Sequence, residues 1–158
     1  MSTLKAVITV KYGKEHQASL DLGDAIYPYD HSVKVSSSIY GGVLLLYSKL
    51  DFNEIMKILK TTHQPYISRI IKIDRCCPET LDELVRCVDE FLKSSSIKLC
   101  NVTIYERGHI KRYVNEINDR IRRFIECSDT NLSLHIVPID YRVCIGVMSK
   151  NAELFRSG

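Results

Sequence analysis

The 158-residue sequence predicts an α+β protein made of two successive two-layer α/β units. Short apolar or alternating runs, typical of strands, are interleaved with segments whose apolar residues recur every three or four positions, the spacing of a helix face. Hydrophobic residues make up 45% of the chain and charged residues 26%, which is the composition of an ordered globular protein. We place the boundary between the units near residue 75, where a β-rich run ends.

The first unit, residues 1–75, follows the order β-α-β-β-α-β. Strands are predicted at residues 5–11, 33–38, 43–48 and 66–74. One helix is predicted from Glu15 to just before Pro28, and a second follows Asp51, which together with Glu54 resembles a capping box. This order is the split βαβ pattern of a ferredoxin-like domain. Because that fold hosts RNA binding, metal binding and regulation alike, it does not decide the function.

The second unit, residues 76–150, follows the order α-β-α-β-β. Its first helix is predicted to start near Pro78 or at Thr80, and a strand follows at residues 98–105. A glycine break leads into a helix over residues 110–125, and strands at residues 132–138 and 141–148 form a hairpin. The helix has the clearest apolar stripe, made of Ile110, Tyr113, Val114, Ile117, Ile121, Phe124 and Ile125. Residues 151–158 are expected to be a loose tail.

The cysteine pattern and the lack of long apolar runs bear on the cellular compartment. The six cysteines show none of the two-residue spacings of a zinc knuckle or a redox motif. No apolar signal segment opens the chain, and no apolar run approaches the roughly 20 residues of a membrane span. We therefore expect a cytoplasmic protein with reduced, buried thiols. A metal site assembled by the fold is the alternative use of these cysteines.

The positions of the charged residues along the sequence are more informative than the net charge. The formal net charge is +3, which is too mild to establish nucleic-acid binding. Within residues 107–123, however, six cations stand against two acids. The cations are Arg107, Lys111, Arg112, Arg120, Arg122 and Arg123. A strand, a glycine turn and a basic helix make an anion-binding corner, because free backbone N–H groups point out of a helix N-terminus.

Helix ion pairs account for some of these cations. Arg120 and Arg123 each lie four residues after an acid, Glu116 and Asp119 respectively. That is the favoured orientation for a solvated pair, worth about 0.2–0.5 kcal/mol. The residues around the glycine turn lack such acids apart from Glu106 and Glu116. They are therefore the better candidates for phosphate contacts: Arg107, Lys111 and Arg112.

Two further features are open to both a structural and a functional interpretation. Arg69 shares the strand parity of Ile67 and Ile71, so it is either a snorkelling side chain on an apolar face or a functional one. Several tyrosines sit at predicted strand ends, where they could stack on unpaired bases or pack with the hydroxyl at the surface. They are Tyr40, Tyr47, Tyr66 and Tyr105.

The usual catalytic signatures are missing from the sequence. There is no GxGxxG, no GxxxxGK[ST], no HExxH and no GxSxG motif. The histidines are scattered, and His63 and His109 fall at predicted element ends, where solvated loop residues are expected. Asp74 and Asp140 fall at predicted turns. We therefore expect no catalytic residue, no cofactor and no metal site, with an enzymatic site built by the fold as the alternative.

Three runs of the sequence resemble the stand-alone archaeal THUMP-domain proteins, whose eukaryotic relatives are adaptors of tRNA cytidine acetylation. The runs are LGDAIYPYD at residues 22–30, GVLLLY at 42–47 and YISRIIKID at 66–74. Arg107-Gly108-His109, at a strand-to-helix junction, matches the Arg-Gly turn of that family, and the paired strands through residues 143–147 also agree. The resemblance implies a ferredoxin-like domain followed by a THUMP domain, whose boundary could be drawn from near residue 50.

The resemblance also implies a function and a set of RNA-binding residues. It implies binding of tRNA, recognised mainly by the shape of its acceptor end. The positions carried over are Arg107, Gly108, His109, Lys111 and Arg112, together with Arg69. The sequence departs from the family after the turn, where residues 110–113 replace a serine-rich segment and an Arg-Glu pair.

The leading hypothesis is therefore a non-catalytic adaptor that presents tRNA to a separate modifying enzyme, such as an acetyltransferase. Only about ten residues follow the last predicted strand, whereas a catalytic domain needs on the order of 100 residues. We therefore expect the enzyme to be another chain, and we expect no membrane partner. The rivals are an enzyme with a site between the domains and a ferredoxin-like module for regulation or oligomerisation.

Overall fold

The computed structural model describes residues 2–127 and 130–156, and the chain forms two units. One unit contains the chain up to Lys72 together with the segment from Glu153, and the other is Ile73–Ala152. Each contains one four-stranded sheet and two α-helices. The predicted α+β fold class is thereby confirmed. No helix in the described part of the chain is long and apolar enough to cross a membrane.

The first unit is an antiparallel sheet whose strand order is β2-β3-β1-β4. Its elements are β1 (Thr3–Val10), α1 (Glu15–Ile26), β2 (Lys34–Ser37), β3 (Val43–Ser48), α2 (Phe52–Lys60) and β4 (Ile67–Lys72). Because β3 lies between β1 and β2 and runs opposite to both, β1 and β2 are parallel to each other. This is the split βαβ arrangement, and the predicted β-α-β-β-α-β order is confirmed.

The core of the first unit follows from the apolar spacing of its elements. The α1 side chains Ala18, Leu22 and Ile26 are buried, as are Ile55 and Leu59 of α2. They form one cluster with alternate residues of the central strands, namely Ala6, Ile8, Val10, Leu44 and Leu46. The expected cap of α2 is also present, because Asp51 Oδ1 accepts a hydrogen bond from Glu54 N at 2.8 Å.

The C-terminal segment is not the loose tail that the sequence predicted. Ile70 N donates to Glu153 O at 2.8 Å and Phe155 N donates to Ser68 O at 3.1 Å, so the segment pairs with the edge of β4. Phe155 is only 7% exposed and belongs to the core of the first unit. An edge strand carries unpaired backbone groups, which this short segment satisfies. Residues 157 and 158 of the predicted tail lie outside the described residues.

The second unit has the strand order β5-β8-β7-β6, with β6 and β7 parallel and the other pairs antiparallel. Its elements are β5 (Arg75–Pro78), α3 (Leu81–Ser95), β6 (Asn101–Ile104), a 3₁₀ helix (Gly108–Tyr113), α4 (Val114–Ile121), a second 3₁₀ helix (Arg122–Phe124), β7 (Leu132–Ile139) and β8 (Arg142–Ser149). The predicted α-β-α-β-β order lacked β5. Pro78 ends that strand instead of opening a helix, and Thr80 is the N-cap of α3. A proline is tolerated in β5 because the strand lies at the sheet edge.

The single helix predicted over residues 110–125 is three shorter helical pieces. Most of the predicted stripe is confirmed, since Ile110, Ile117 and Ile121 are buried in one cluster and Tyr113 and Phe124 pack against it. Ile125 is the exception, because it is exposed. A 3₁₀ helix and an α-helix both place residues three apart on a common side. The apolar spacing could therefore locate the buried face but could not distinguish these two helix types.

The cysteines form disulfides, contrary to the expectation of reduced thiols. The pairs are Cys76–Cys144, Cys77–Cys87 and Cys100–Cys127, separated by 68, 10 and 27 residues in the sequence. Cys76 and Cys144 face each other across the β5–β8 ladder. The next residue, Cys77, forms its disulfide with Cys87 on α3. No local spacing motif encodes such pairs, because the fold brings them together.

Candidate nucleic-acid interface

A basic turn connects β6 to α4. We define the basic turn as Arg107 and the following 3₁₀ helix, Gly108–Tyr113. Arg107 is extended, with φ −132° and ψ 151°, and the chain then reverses at Gly108, whose φ is +59°. Glycine adopts this left-handed conformation without the steric cost that a side chain would add. The sequence-predicted break is therefore present, and Gly108 has a conformational reason to occupy it.

Apolar residues fix the inner side of the basic turn. Ile110 is buried in the core cluster of the second unit, and Tyr113 packs partly buried against the same cluster. These two residues are three apart, so a 3₁₀ helix places them on one side. The intervening Lys111 and Arg112 are exposed, as is His109. The apolar anchors thus hold a short segment whose basic side chains face solvent.

The Arg107 side chain packs against the ring of Tyr105, which in turn lies next to His135. Its guanidinium carbon lies 5.7 Å from the centre of the Tyr105 ring, and its backbone N–H donates to Tyr105 O at 2.9 Å. The Tyr105 hydroxyl in turn lies 3.2 Å from Nδ1 of His135, which is buried in β7. Arg107 itself is half-buried. An aromatic contact of this kind orients a guanidinium and limits its rotamers.

Lys111 and Arg112 are two of several exposed cations of this unit that have no ion-pair partner among the described residues, and Arg86 and Arg120 are others. Among the described residues, no carboxylate lies within ion-pair distance of either side chain, although Glu106 and Glu116 are close in sequence. His109 Nε2 lies 3.9 Å from Glu79 Oε1, so that histidine has an acidic neighbour. The two uncompensated charges on the basic turn are therefore those of Lys111 and Arg112.

Arg122 and Arg123, which follow α4, are both compensated, but not in the pairs that the sequence suggested. Asp119 pairs with Arg122 at 3.1 Å, and Arg123 donates a hydrogen bond to Asp89 on α3. Among the described residues neither the predicted Glu116–Arg120 pair nor the Asp119–Arg123 pair forms. Sequence spacing could only propose partners on the same helix. The acid that neutralises Arg123 comes from another element.

Arg69 belongs to the first unit, whereas the basic turn belongs to the second. It is an exposed residue of β4 in the first unit, opposite Thr9 of β1, and it forms a bridge with Leu154. Its side chain is not buried on an apolar face. The predicted site residues of the second unit lie in one segment, and Arg69 lies in the first unit. The residues of that segment are Arg107, Gly108, His109, Lys111 and Arg112.

Two clefts of the second unit lie next to its basic residues. A cleft of about 210 Å³ beside the basic turn is lined by Glu79, Thr80, Leu81, His109 and Tyr113. This is smaller than the usual 300–1,000 Å³ of a small-molecule pocket. A groove of about 400 Å³ along α3 and α4 is lined largely by charged residues, including Arg86, Asp89 and Arg120. Within residues 2–127 and 130–156, no three His, Cys, Asp or Glu side chains cluster as a metal site requires.

Comparisons with known proteins identify a shared fold and no family. No protein-family model matches the chain, and no curated protein matches its sequence. A predicted N6-adenine-specific DNA methylase from Listeria monocytogenes str. 4b F2365 matches 93% of this chain with a TM-score of 0.53 and 13% identity. PH1313 from Pyrococcus horikoshii Ot3 matches 93% of this chain with a TM-score of 0.56 and 10% identity. The matched region is 40% of the first protein and 55% of the second, so this chain spans about half the length of these neighbours or less. At this level of identity, the likeness shows that the chain shares its fold with these two proteins.

Proposed function

We propose that this chain is a non-catalytic RNA-binding protein that holds the acceptor-stem end of tRNA at the basic turn. In this proposal it presents the tRNA to a separate modifying enzyme, such as a cytidine acetyltransferase. The observation that carries the proposal is the pair Lys111 and Arg112. Both are exposed on a turn anchored by Ile110, and neither has a carboxylate partner among the described residues.

The chemistry of the turn suits a phosphate backbone better than a small substrate. Arg107, Lys111 and Arg112 offer three cations within six residues. A-form RNA hides its base edges in a deep and narrow major groove, so a protein recognises its shape and its phosphates. Because Arg107 is already oriented by Tyr105, less side-chain freedom is lost when it contacts a phosphate.

The fold comparison and the sequence resemblance support different parts of the proposal. One fold neighbour is described as a predicted DNA methylase, which supports a nucleic-acid partner in a general sense. The choice of tRNA, of its acceptor end and of an adaptor role rests on the resemblance to the archaeal THUMP-domain proteins. The modifying enzyme is proposed to be another chain.

The test is a titration of labelled tRNA and of an acceptor-stem minihelix at fixed salt. We expect wild-type protein to bind both with similar affinity, since the minihelix retains the recognised end. The double variant Lys111→Ala with Arg112→Ala should bind both about tenfold more weakly, which corresponds to about 1.4 kcal/mol. The matched control is Lys57→Ala with Lys60→Ala on α2, which removes the same charge from exposed positions and should leave affinity unchanged.

Two results would contradict the proposal in different ways. Unchanged affinity of the Lys111/Arg112 variant, with circular dichroism showing a folded protein, would exclude the basic turn as the interface. No tRNA binding at low salt would exclude the function. Self-association or protein capture without any RNA affinity would favour the regulatory or oligomerisation module instead.

A further inference from the structure

Four ring-bearing residues are exposed between α1 and β2. They are Tyr27, Pro28, Tyr29 and His31, and we call residues 27–31 the aromatic loop. Tyr27 is 55% exposed and Tyr29 is 67% exposed. The rings of Tyr27 and His31 stack with centroids 4.6 Å apart and planes inclined by 23°. Single exposed apolar residues are common on protein surfaces, but a cluster of exposed aromatics signals a binding surface.

The backbone of the aromatic loop is held firmly by its one buried residue, Asp30. The Asp30 carboxylate accepts hydrogen bonds from Ser32 N at 2.9 Å, Ser32 Oγ at 2.6 Å, Ser48 Oγ at 2.6 Å and Lys49 N at 2.8 Å. These bonds tie the loop to the end of β3. The backbone that carries the rings is therefore fixed, so little backbone conformational entropy is lost when a ligand binds.

The backbone at the start of the loop is fixed as well. Tyr29 N and Asp30 N both donate to Ile26 O, at 2.9 and 3.0 Å, so the loop continues directly from the last turn of α1. Ile26 itself is fully buried. The position of Tyr27 and Tyr29 is thus determined by the helix as well as by the Asp30 carboxylate.

Two lysines, one at the start of β2 and one just after β3, are adjacent to the aromatic loop through the chain and the Asp30 hydrogen bonds. Lys34 begins β2 three residues after His31, and its Nζ lies 5.9 Å from the centre of the Tyr47 ring. Lys49 follows β3, and its backbone N–H is one of the groups bonded to Asp30. Both lysine side chains are exposed. The charge of Asp30 is satisfied internally, so the loop combines flat ring faces with flanking positive charge.

We propose that the aromatic loop binds unpaired RNA nucleotides, with bases stacking on Tyr27, His31 and Tyr29 and phosphates lying near Lys34 and Lys49. Aromatic platforms beside cations are how proteins hold single strands without reading their sequence. This inference deepens the proposed function and rests on RNA being the partner, but it concerns a second surface, on the first unit. The strand-end tyrosines that the sequence suggested for stacking are not part of this loop.

The experiment measures binding of a single-stranded RNA of about eight nucleotides and of a blunt RNA duplex, each labelled for fluorescence anisotropy. The test variant is Tyr27→Ala with Tyr29→Ala. Stacking contributes about tenfold or more per base, so this variant should lose at least about tenfold in single-strand affinity and keep its duplex affinity. The matched control, Tyr12→Ala with Tyr141→Ala, removes two other exposed tyrosines and should bind like wild type.

A conservative variant separates stacking from a structural effect. Tyr27→Phe with Tyr29→Phe keeps both rings and should retain single-strand affinity. Equal single-strand affinity of wild type and the Tyr27/Tyr29 alanine variant would overturn the inference. If wild-type protein bound only the duplex, that result would also overturn the inference, but it would not contradict the proposed function. Conversely, single-strand binding that depends on the loop, without any duplex or tRNA binding at the basic turn, would support the inference while contradicting the proposed function.

Discussion

Asp89 on α3 accepts a hydrogen bond from the guanidinium of Arg123, at the C-terminal side of α4. The same carboxylate forms an ion pair with Lys93 at 3.0 Å. The Arg123 hydrogen bond, followed by that of Lys93, holds the pKa of the Asp89 carboxyl below its ordinary value. The charge of Arg123 is thus balanced within the second unit. This separates Arg123 from Lys111 and Arg112, which have no such partner among the described residues.

Replacing Arg123 should therefore affect stability and not RNA binding. For Arg123→Ala we expect a loss of about 0.2–1 kcal/mol in the free energy of unfolding at pH 7, since the Arg123 side chain is 60% exposed. RNA affinity should stay within about twofold of wild type. Urea denaturation and the minihelix titration measure the two effects. A loss of RNA affinity as large as that of the Lys111/Arg112 variant would contradict the assignment.

The Arg123 effect should also depend on pH in a defined direction. Because the folded-state pKa of Asp89 is lowered, the pair stabilises the protein above the ordinary carboxyl value of 3.8. This stabilisation is lost as the pH falls through the folded-state pKa. The stability difference between wild type and Arg123→Ala should therefore shrink below about pH 4.

Asp30 should be a second pH-dependent contributor, in the first unit. The hydroxyl groups of Ser32 and Ser48, followed by the backbone N–H of Lys49, hold the pKa of Asp30 far below its ordinary value. Asp30→Asn removes the charge that these donors stabilise, so the variant should melt at a lower temperature than wild type at pH 7. The difference should start to diminish as the pH falls below the ordinary carboxyl value of 3.8, and it should keep diminishing down to the folded-state pKa. A constant difference from pH 7 to pH 2 would show that charge is not the cause.

The C-terminal segment should be required for the stability of the first unit. Phe155 is buried in the core of that unit, so Phe155→Ala should cost about 3–5 kcal/mol of unfolding free energy. The neighbouring Leu154 is 53% exposed, and Leu154→Ala is the matched control, with little expected effect. Equal stability of the two variants in urea denaturation would contradict the pairing of this segment with β4.

The disulfides should be detectable chemically and should stabilise the second unit. All six cysteines lie within Ile73–Ala152, so alkylation of unreduced, denatured protein should modify none of them. Each native disulfide is expected to contribute about 2–5 kcal/mol. After reduction, amide hydrogen exchange should increase in the second unit and stay unchanged in the first. Six alkylated thiols in the unreduced protein would restore the expectation of free cysteines.

The spacing of apolar residues and the capping and turn residues predicted most of the helices and strands, because these signals depend on neighbouring residues and on which side chains are buried. The strand Val43–Ser48 was predicted with correct bounds and the helix that follows Asp51 with the correct start, since their apolar spacing and capping residues act within a few positions. The strand Arg75–Pro78 was missed because four residues carry little periodic signal and their partner, β8, lies far along the chain. Phe155 was missed for the same reason.

The candidate site could be predicted only in part. Gly108 and its basic neighbours were identified from composition and a glycine break, and the structure does place them in one turn. The partner of Arg123 could not be predicted, because Asp89 is on a different helix and approaches only in the folded chain. The aromatic loop was visible in sequence as Tyr27 and Tyr29, yet only the exposure of their side chains distinguishes a surface from a core.

The salt dependence of minihelix binding tests the central claim most directly. Each phosphate contact that is lost should reduce the slope of log K against log[salt] by about 0.7–0.9. We predict that Arg107→Gln with Arg112→Gln lowers the magnitude of this slope by about 1.5 relative to wild type, while both proteins remain folded. An identical slope in the two proteins would show that these arginines do not contact RNA phosphates and would contradict the proposed interface.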